Sequence, residues 1–519
     1  MPVTEFDFET LKDYITSSRD ETLLRMAREH RKKYVGSSSS MTSVLSHFHY
    51  LLSSWRAVNT SMVSRSFPDN LRSFTRLLRS PAAMFLHYKD GTYAIDADKE
   101  FDSANILMNL GKSMEKLLTL PKEEFERYRR SSLDRITAEE EQAIPESYHY
   151  STSGDFIMRS QLDAHDPRLP GTGMFDLKTR AVVSIRMDAK NFEHGLGYQI
   201  KHLIGGYESF EREYYDMIRA AFLKYSLQVR VGRMDGIFVA FHNIERIFGF
   251  QYISLPEMDL TLHGQSDTTL GDREYHLSIG LWNNILDKAT AKFPQRSLRF
   301  HFETRDASPP FMYIFAEPVT AEEIEAIQTK NKAEIEAFQR RILDLPNREN
   351  DDDATLTEST DAAEEEAPAE ASPPEPSESD ILSSAASEEG ESTTSPAEGE
   401  GEKAPQRDLF AMMLSIKNHV NGRPVIRPTD LRPHDKWTVE YELTEIQGRP
   451  VWKLYEACQT RRQKALAGRG EDETEVAANH YIHKLRQISQ SGRKYRQEQD
   501  KIDAERGLVV LGETEPRES

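Results

Sequence analysis

Apolar residues recur every three or four positions in two parts of the chain, and this period predicts an amphipathic helix in each. The first predicted helix covers residues 105–120 and ends at Pro121, because proline cannot continue a helix. The second covers residues 206–225. The apolar positions are Ile106, Leu107, Leu110, Met114, Leu117 and Leu118 in the first helix, and Tyr207, Phe210, Tyr214, Met217, Ile218 and Phe222 in the second.

Shorter apolar runs between and after these helices predict strands. Residues 155–163 and 174–185 flank the turn-rich sequence HDPRLPGTG, so we predict two strands joined as a hairpin. Two further strands are predicted at residues 236–241 and 247–252. The order helix, hairpin, helix, strands is typical of an α/β fold.

Composition divides the rest of the chain around one polar tract. Residues 346–406 include EEEAPAEASPPEPSESD and contain almost no large apolar side chains, so we predict a disordered acidic linker. Residues 407–505 return to a folded composition and are predicted as a C-terminal α+β segment, which either completes the first block or forms a small domain. The other predicted units are an N-terminal helical extension at 1–90, a core at 91–320, a long helix at 321–345 and a tail at 506–519.

The net charge of −20 would ordinarily argue against a nucleic-acid partner, because phosphate binding depends on lysine and arginine. However, residues 349–402 contain 19 acidic residues and no lysine or arginine. Without them the remainder of the chain carries a net charge of only −1. The predicted folded part is therefore nearly neutral, and its charge does not exclude RNA.

The single cysteine, Cys458, excludes an intramolecular disulfide and favours a reducing compartment. No apolar run approaches the roughly 20 residues that a transmembrane helix needs, so none is predicted. The first 20 residues carry Asp7, Glu9, Asp13 and Asp20 and little basic character, unlike a secretory signal or a mitochondrial presequence. Either the protein is cytosolic or the true reading frame starts upstream.

Two acids and a lysine are predicted to lie together on the hairpin. Successive side chains of a strand alternate between its faces, so Asp176 and Lys178 share one face while Phe175 and Leu177 point into the core. The hairpin would bring Asp163, at the end of the preceding strand, near Asp176. This places two carboxylates and an ammonium group in one strongly apolar part of the sequence.

A third acid, Glu115, lies on the predicted helix before the hairpin. Carboxylate oxygens are hard ligands suited to Mg²⁺ or Mn²⁺, so we predict a metal site formed by Asp163, Asp176 and Glu115 together with the backbone carbonyl of Leu177. Asp166 competes with Asp163 for this role, because it is closer to Asp176 along the chain. Its position in the turn favours Asp163.

The order of helix glutamate, strand aspartate, strand Asp-X-Lys and helix resembles the PD-(D/E)XK nuclease superfamily, which cleaves phosphodiester bonds with Mg²⁺ or Mn²⁺. The resemblance implies a restriction-endonuclease-like core, with a mixed sheet flanked by helices. It implies a catalytic role for Glu115, Asp163, Asp176 and Lys178, in which the lysine positions the attacking water or stabilises the developing charge. The chain departs from the usual pattern at Leu162, where proline commonly precedes the first acid.

Several longer segments are similar to a more specific family, the fungal mitochondrial Pet-type proteins. The segments are MTSVLSHFHYLLSSWR from Met41, YKDGTYAIDADKEFDSANIL from Tyr88, SQLDAHDPRLPGTGMFDLKTRAVVSIR from Ser160, and GYESFEREYYDMIRAAFLKYSLQVRVGRMDGIFVAFHN from Gly206. This resemblance implies mitochondrial RNA 5′-end processing and turnover by a 5′-to-3′ exoribonuclease. It also implies peripheral association with the matrix side of the inner membrane and a link to the mitochondrial RNA polymerase. Because the similarity begins almost at Met1, we expect the sequence to be incomplete at its N-terminus.

Two other functions remain open at the level of sequence. Asp176 and Lys178 would equally suit a structural ion pair at a sheet edge, in which case the protein is a non-catalytic RNA-processing or transcription-associated factor on a nuclease-like scaffold. The same constellation would also serve a DNA nuclease. Metal-dependent turnover and a comparison of RNA with DNA distinguish these functions.

Overall fold

The structure is a computed structural model that describes residues 1, 3–12, 14–103, 106–343, 408–448, 450–466 and 474–507. The predicted disordered linker at 346–406 lies outside these ranges. The predicted tail at 506–519 also lies outside them, apart from Arg506 and Gly507.

Helices and strands alternate through most of the described chain. The helices are α1 (Glu21–Glu29), α2 (Ser38–Leu52), α3 (Ile106–Thr119), α4 (Lys122–Glu126), α5 (Ala138–Ala143), α6 (Val183–Arg186), α7 (Phe210–Ala220), α8 (Phe222–Gly232), α9 (Leu255–His263), α10 (Thr269–Lys292), α11 (Ala321–Gln328), α12 (Lys332–Leu343), α13 (Pro450–Leu466) and α14 (Thr474–Arg506). The strands are β1 (Tyr34–Ser37), β2 (Ala82–Lys89), β3 (Thr92–Ala97), β4 (Tyr148–Ser153), β5 (Phe156–Gln161), β6 (Ala164–His165), β7 (Met174–Ala181), β8 (Gly236–His242), β9 (Ile247–Ser254), β10 (Leu298–Arg305), β11 (Phe311–Pro318), β12 (Phe410–Val420), β13 (Arg423–Val425) and β14 (Trp437–Ile446). Within the described ranges, no helix is both long enough and apolar enough to cross a membrane.

The strands of the described chain form two sheets. The larger has ten strands in the order β13-β12-β11-β10-β2-β3-β1-β5-β4, with β14 also paired to β12. Within it, β1 runs parallel to both β3 and β5, and the other pairs are antiparallel. The smaller sheet has the order β6-β7-β8-β9, in which only β7 and β8 are parallel. The larger sheet is therefore mixed.

The main core lies around helices that pack between these sheets. α2 begins in a capping box, because Ser37 and Ser40 each accept a hydrogen bond from the other's backbone N–H. α2 packs on the large sheet and on α8, while α8 contacts β5 of the large sheet and β8 of the small one. Trp282 of α10 is fully buried at the centre, where its ring contacts Phe48 and Phe302. Burial of these apolar side chains holds the two sheets in one folded unit.

The predicted α/β class, with a mixed sheet flanked by helices, is confirmed. The helix predicted at 105–120 is α3, and the two strands predicted after the second helix are β8 and β9. The second predicted helix is instead two helices, α7 and α8. They are separated at Ala221, whose backbone angles (φ −134°, ψ −30°) are not helical.

The prediction that residues 1–90 form a helical extension is wrong, because this stretch also supplies β1 and β2 to the large sheet. β1 has only four residues, so it is too short for alternation to reveal it, although Tyr34 and Val35 are completely buried. The single helix predicted at 321–345 is also wrong. α11 ends at Gln328 and α12 begins at Lys332.

The C-terminal segment completes the large sheet. β12 pairs with β11 along six residues, from Phe311 opposite Ser415 to Ala316 opposite Phe410. α13 covers this junction with Tyr455 and Cys458, which pack in one apolar cluster with residues of β11 and β12. The C-terminal segment therefore completes the first block and does not form a small domain of its own.

The predicted hairpin of residues 155–163 and 174–185 is only partly right. β5 pairs with β1 and β4 in the large sheet, whereas β7 belongs to the small sheet. The antiparallel partner of β7 is the two-residue strand β6, with Ala164 opposite Phe175. The chain therefore passes from one sheet to the other immediately before β6, where Asp163 lies.

Candidate active site

The four predicted catalytic residues are brought together at the start of the small sheet. Asp163 lies at the passage from β5 to β6, and Asp176 and Lys178 lie on β7. α3 packs against β7 and carries Glu115 near its C-terminal end. The chain thus joins residues from a helix, a connection and a strand in one place.

Direct hydrogen bonds order this group. The Asp163 carboxyl group accepts a hydrogen bond from the backbone N–H of Leu177 at 2.8 Å. The Lys178 ammonium group lies 2.8 Å from Oδ2 of Asp176, and only 11% of the lysine side chain and 10% of the aspartate side chain are exposed. The carboxyl groups of Asp163 and Asp176 lie close enough for each to shift the pKa of the other.

The electrostatics shift these two acids in opposite directions. Burial raises the pKa of Asp163 well above its ordinary value, and the negative charge of Asp176 raises it further. Burial also acts to raise the pKa of Asp176, but the Lys178 ammonium group outweighs this effect and holds the pKa below its ordinary value. Asp163 is therefore the acid of the pair that keeps its proton to the higher pH.

Glu115 adds a third carboxyl group to this environment. Burial raises its pKa, the neighbouring Lys116 acts to lower it, and the negative charge of Asp176 acts to raise it. Lys116 is itself engaged by Glu141, at 2.9 Å. Three carboxyl groups therefore lie together while one of the neighbouring lysines is already paired with another acid. Such an excess of carboxylate oxygens suits a hard divalent cation, which prefers oxygen ligands. The carbonyl of Leu177 remains a predicted ligand.

The two faces of β7 are buried in the opposite way from the prediction. Phe175 and Leu177, which were expected to point into the core, are half-buried. The Phe175 ring packs at 4.7 Å against the ring of Phe238, which is also half-buried. The charged face is the more buried one, because α3 packs against β7 and the side chain of Tyr225 on α8 reaches Lys178.

Asp166, the competing acid, lies elsewhere. Its carboxylate forms hydrogen bonds with the backbone and side chain of Arg168 in the loop between β6 and β7. Those hydrogen bonds lower the pKa of Asp166 to about 2. Asp163, and not Asp166, is the residue that contacts Asp176.

Two residues near the site were not among those predicted. Arg180 is almost completely buried on β7, two residues beyond Lys178, so the alternation of strand side chains would have placed it on the same face. The ring centre of Tyr225 lies 5.4 Å from the Lys178 ammonium nitrogen. Nothing in the local sequence marks Tyr225, because its contact depends on how α8 packs between the sheets.

Comparisons with known proteins give a consistent family match. The family model described as "Mitochondrial protein Pet127" matches residues 14–287, a stretch that includes all four predicted catalytic residues. The "mRNA degradation protein pet127, mitochondrial" of Schizosaccharomyces pombe is 41% identical over 315 residues, which are 60% of this chain and 59% of the relative. The "putative mitochondrial translation system component PET127" of Saccharomyces cerevisiae is 48% identical over 314 residues, which are 53% of this chain and 37% of the relative. The match therefore spans less than two thirds of the length of either relative.

Among solved structures, Rai1 of Scheffersomyces stipitis aligns with 65% of this chain and 86% of its own, at 10% identity and a TM-score of 0.32. Rai1 of S. pombe in complex with 3′-FADP aligns with 62% of this chain and 84% of its own, with the same identity and TM-score. A likeness at this level supports no statement about activity.

Proposed function

The chain belongs to the Pet127 family of mitochondrial proteins, and from this premise we propose that it acts in mitochondrial RNA turnover as a metal-dependent nuclease. The observation that carries the proposal is the adjacent pair Asp163 and Asp176, of which Asp163 accepts a hydrogen bond from the Leu177 N–H and Asp176 pairs with Lys178. A purely structural ion pair needs one acid for one lysine. Here two further carboxyl groups, Asp163 and Glu115, share the same buried space.

Each residue has a distinct role in the proposed reaction. Mg²⁺ or Mn²⁺, held by Asp163, Asp176, Glu115 and the carbonyl of Leu177, would supply positive charge to the scissile phosphate and acidify a water molecule. Asp163 would give up its proton on binding a cation and would add a negative charge to the site. Asp176 fixes the Lys178 ammonium group at 2.8 Å.

Lys178 is the residue proposed to face the phosphate. Its ammonium group is largely shielded from water, so its charge acts on developing negative charge with little screening. The Tyr225 ring limits the positions that the lysine side chain can adopt. Together these contacts hold a positive charge in place before substrate arrives.

The finer function is proposed from the family resemblance. It comprises 5′-to-3′ exonucleolytic removal of nucleotides from RNA, peripheral association with the inner membrane and a link to the mitochondrial RNA polymerase. The S. pombe relative is named for mRNA degradation, which supports RNA as the substrate class. Analysis of the products from RNA labelled separately at each end determines the direction of degradation.

Cleavage of RNA by purified protein tests the proposal. We expect the full chain to degrade 5′-monophosphorylated RNA in Mg²⁺ and not in a chelator, and to leave DNA of the same sequence intact. Asp176→Asn should lower the rate at least about 100-fold, because it removes charge from the metal site and releases Lys178. Asp166→Asn is the matched control and should retain the wild-type rate. Equal rates for Asp176→Asn and wild type would rule the site out.

A non-catalytic factor on the same scaffold is the second candidate. The specific observation in its favour is the low exposure of Asp176 and Lys178, which limits access for a phosphodiester. In that case the protein binds RNA but does not cleave it with any divalent cation, and Asp176→Asn leaves RNA affinity unchanged. Cleavage of DNA in preference to RNA would instead identify a DNA nuclease.

A further inference from the structure

A second group of metal-ligating side chains lies where three helices meet, on elements different from those of the acidic site. His49 is on α2, His263 is the last residue of α9, and Glu274 is on α10. Each offers one ligand atom, and these atoms lie within 4.8 Å of one another. All three side chains are buried. We call this group the three-helix cluster.

The cluster contains buried polar atoms that have no hydrogen-bond partner in the part of the chain that the structure describes. They are Nε2 of His49, Nδ1 of His263 and Oε2 of Glu274. Buried polar atoms in folded proteins are nearly always paired, so three unpaired atoms in one place require an explanation. A metal ion bound between these side chains provides one.

A simple ion pair explains only part of this arrangement. Nδ1 of His49 lies 2.5 Å from Oε1 of Glu274, which accounts for one contact. Oε2 of the same glutamate lies 3.8 Å from Nδ1 of His263, too far for a hydrogen bond. A gap of this kind between two donor atoms can accommodate a metal ion that contacts both.

A neighbouring carboxylate is placed to orient His263. Oδ1 of Asp259 lies 3.7 Å from Nε2 of His263, the ring nitrogen other than Nδ1, and has no hydrogen-bond partner within the described residues. The second oxygen of Asp259 is held by Arg230 at 2.5 Å. Histidines that bind metals commonly present their other ring nitrogen to a carboxylate, which fixes the ring and its tautomer.

We propose that His49, His263 and Glu274 hold a divalent transition metal, zinc in the first place. Two imidazoles and one carboxylate suit zinc, whereas Mg²⁺ and Ca²⁺ prefer oxygen ligands alone. The cluster joins α2 to helices more than 200 positions later in the chain, so the metal cross-links distant parts of the fold. Its complete burial assigns it a structural role, separate from the proposed nuclease site.

Metal content measures this site directly. In the full chain carrying Asp163→Asn and Asp176→Asn, metal bound at the acidic site no longer contributes to the measured zinc content. After dialysis against zinc and then against zinc-free buffer, this protein should retain one zinc per chain. Adding His49→Gln, His263→Gln or Glu274→Gln should reduce zinc to background. His47→Gln is the matched control. His47 is buried on the same helix, but its ring nitrogens contact Ser80 and Thr304. That variant should retain its zinc.

X-ray absorption on the unsubstituted chain, at one zinc per chain, tests the ligands without any variant that could fail to fold. We expect two imidazole nitrogens at about 2.0–2.1 Å, with oxygen completing the shell and no sulfur. A zinc-free protein would overturn the proposal and leave a buried water as the occupant. Equal zinc loss in His47→Gln, or a shell with sulfur from Cys458, would also overturn it. RNA cleavage is measured separately, so failure here does not bear on the nuclease proposal.

Discussion

At the scale of single residues, two adjacent carboxyl groups with opposite pKa shifts govern the candidate site. Burial and the negative charge of Asp176 raise the pKa of Asp163. Burial also acts to raise the pKa of Asp176, but Lys178 holds it below its ordinary value. A divalent cation that binds Asp163 must displace the proton that this acid holds, so metal affinity should rise with pH.

The raised pKa of Asp163 also predicts how stability depends on pH. In the metal-free protein the folded state holds this proton more tightly than the unfolded state does, so the stabilisation is complete below the unfolded pKa and is lost as pH rises through the folded pKa. Asp163→Asn imitates the protonated acid and cannot titrate. Its thermal stability in a chelator should therefore fall less with rising pH than that of the wild type.

Asp166→Asn is the control for this measurement. Hydrogen bonds to Arg168 lower the pKa of Asp166 to about 2, so the residue is ionised throughout the neutral range in both folded and unfolded states. Its variant should show the wild-type dependence on pH. A parallel pH profile for Asp163→Asn and wild type would show that Asp163 does not hold the extra proton.

The sequence predicted which residues lie together at the candidate site better than it predicted their environment. Alternation along β7 placed Asp176 and Lys178 on one face, and position in the turn distinguished Asp163 from Asp166. The greater burial of the charged face depends on α3 and on Tyr225 of α8. Those contacts join residues about 50 positions or more apart in the chain, which local periodicity does not encode.

At the scale of elements, α14 docks on the segment after α6 through two glycines. The N–H of Gly197 donates a hydrogen bond to Oγ of Ser489 at 3.0 Å. A Cβ atom on Gly492 would lie only 1.9 Å from the carbonyl oxygen of Gly197. Only a residue without a side chain allows the helix to approach this closely.

Gly492→Ala should therefore displace α14. We expect the free energy of unfolding to fall by about 1–3 kcal/mol, because the added methyl group meets rigid backbone. Hydrogen exchange should become faster along α14 in particular. Gly280→Ala, in the middle of α10, is the matched control, since its Cβ would meet nothing within 4 Å. It should be neutral or stabilising by up to about 1 kcal/mol, and equal effects of the two substitutions would contradict the docking contact.

Regular elements were predictable where their apolar pattern is long. α3, β8 and β9 were found from periodicity, whereas β1 and β6 were missed because four and two residues cannot establish an alternation. The hairpin was predicted from adjacency in sequence. β5 instead pairs with β1, and the rings of Tyr34 and Phe156 from these two strands pack together in the main core.

At the scale of the whole molecule, buried ion pairs attach the C-terminal segment to the N-terminal half. Arg462 of α13 lies 3.0 Å from Asp98 and 3.1 Å from Glu100. Arg299 of β10 contacts the same two acids. Burial acts to raise the pKa of Asp98, but the positive charges of Arg462 and Arg299 hold it below its ordinary value. These charges make the segment part of one folded unit.

Arg462→Met should thus destabilise the whole fold. It leaves Asp98 and Glu100 with Arg299 as their remaining arginine partner, and the loss of one member of a buried network costs about 3 kcal/mol. Urea unfolding measures the loss. Arg25→Met removes an exposed pair with Glu29 on α1 and should cost no more than about 0.5 kcal/mol. If the C-terminal segment unfolded alone, before the remainder and in a separate transition, it would not be an integral part of the sheet.

The joining of these distant parts was beyond prediction from the sequence. The composition of residues 407–505 indicated a folded segment, but the sequence of an edge strand does not specify which strand it pairs with. β12 pairs with β11 across more than 90 intervening positions, including residues outside the described ranges. Only the three-dimensional arrangement distinguishes a completed sheet from a separate domain.

The most direct test of the nuclease site is the rate of RNA degradation by Asp163→Asn at saturating Mg²⁺. This variant keeps the shape of the acid and imitates its protonated form, so it should be folded. The account predicts a fall of at least about 100-fold relative to wild type, because the site lacks its second negative charge. A folded Asp163→Asn protein that degrades RNA at the wild-type rate would contradict it.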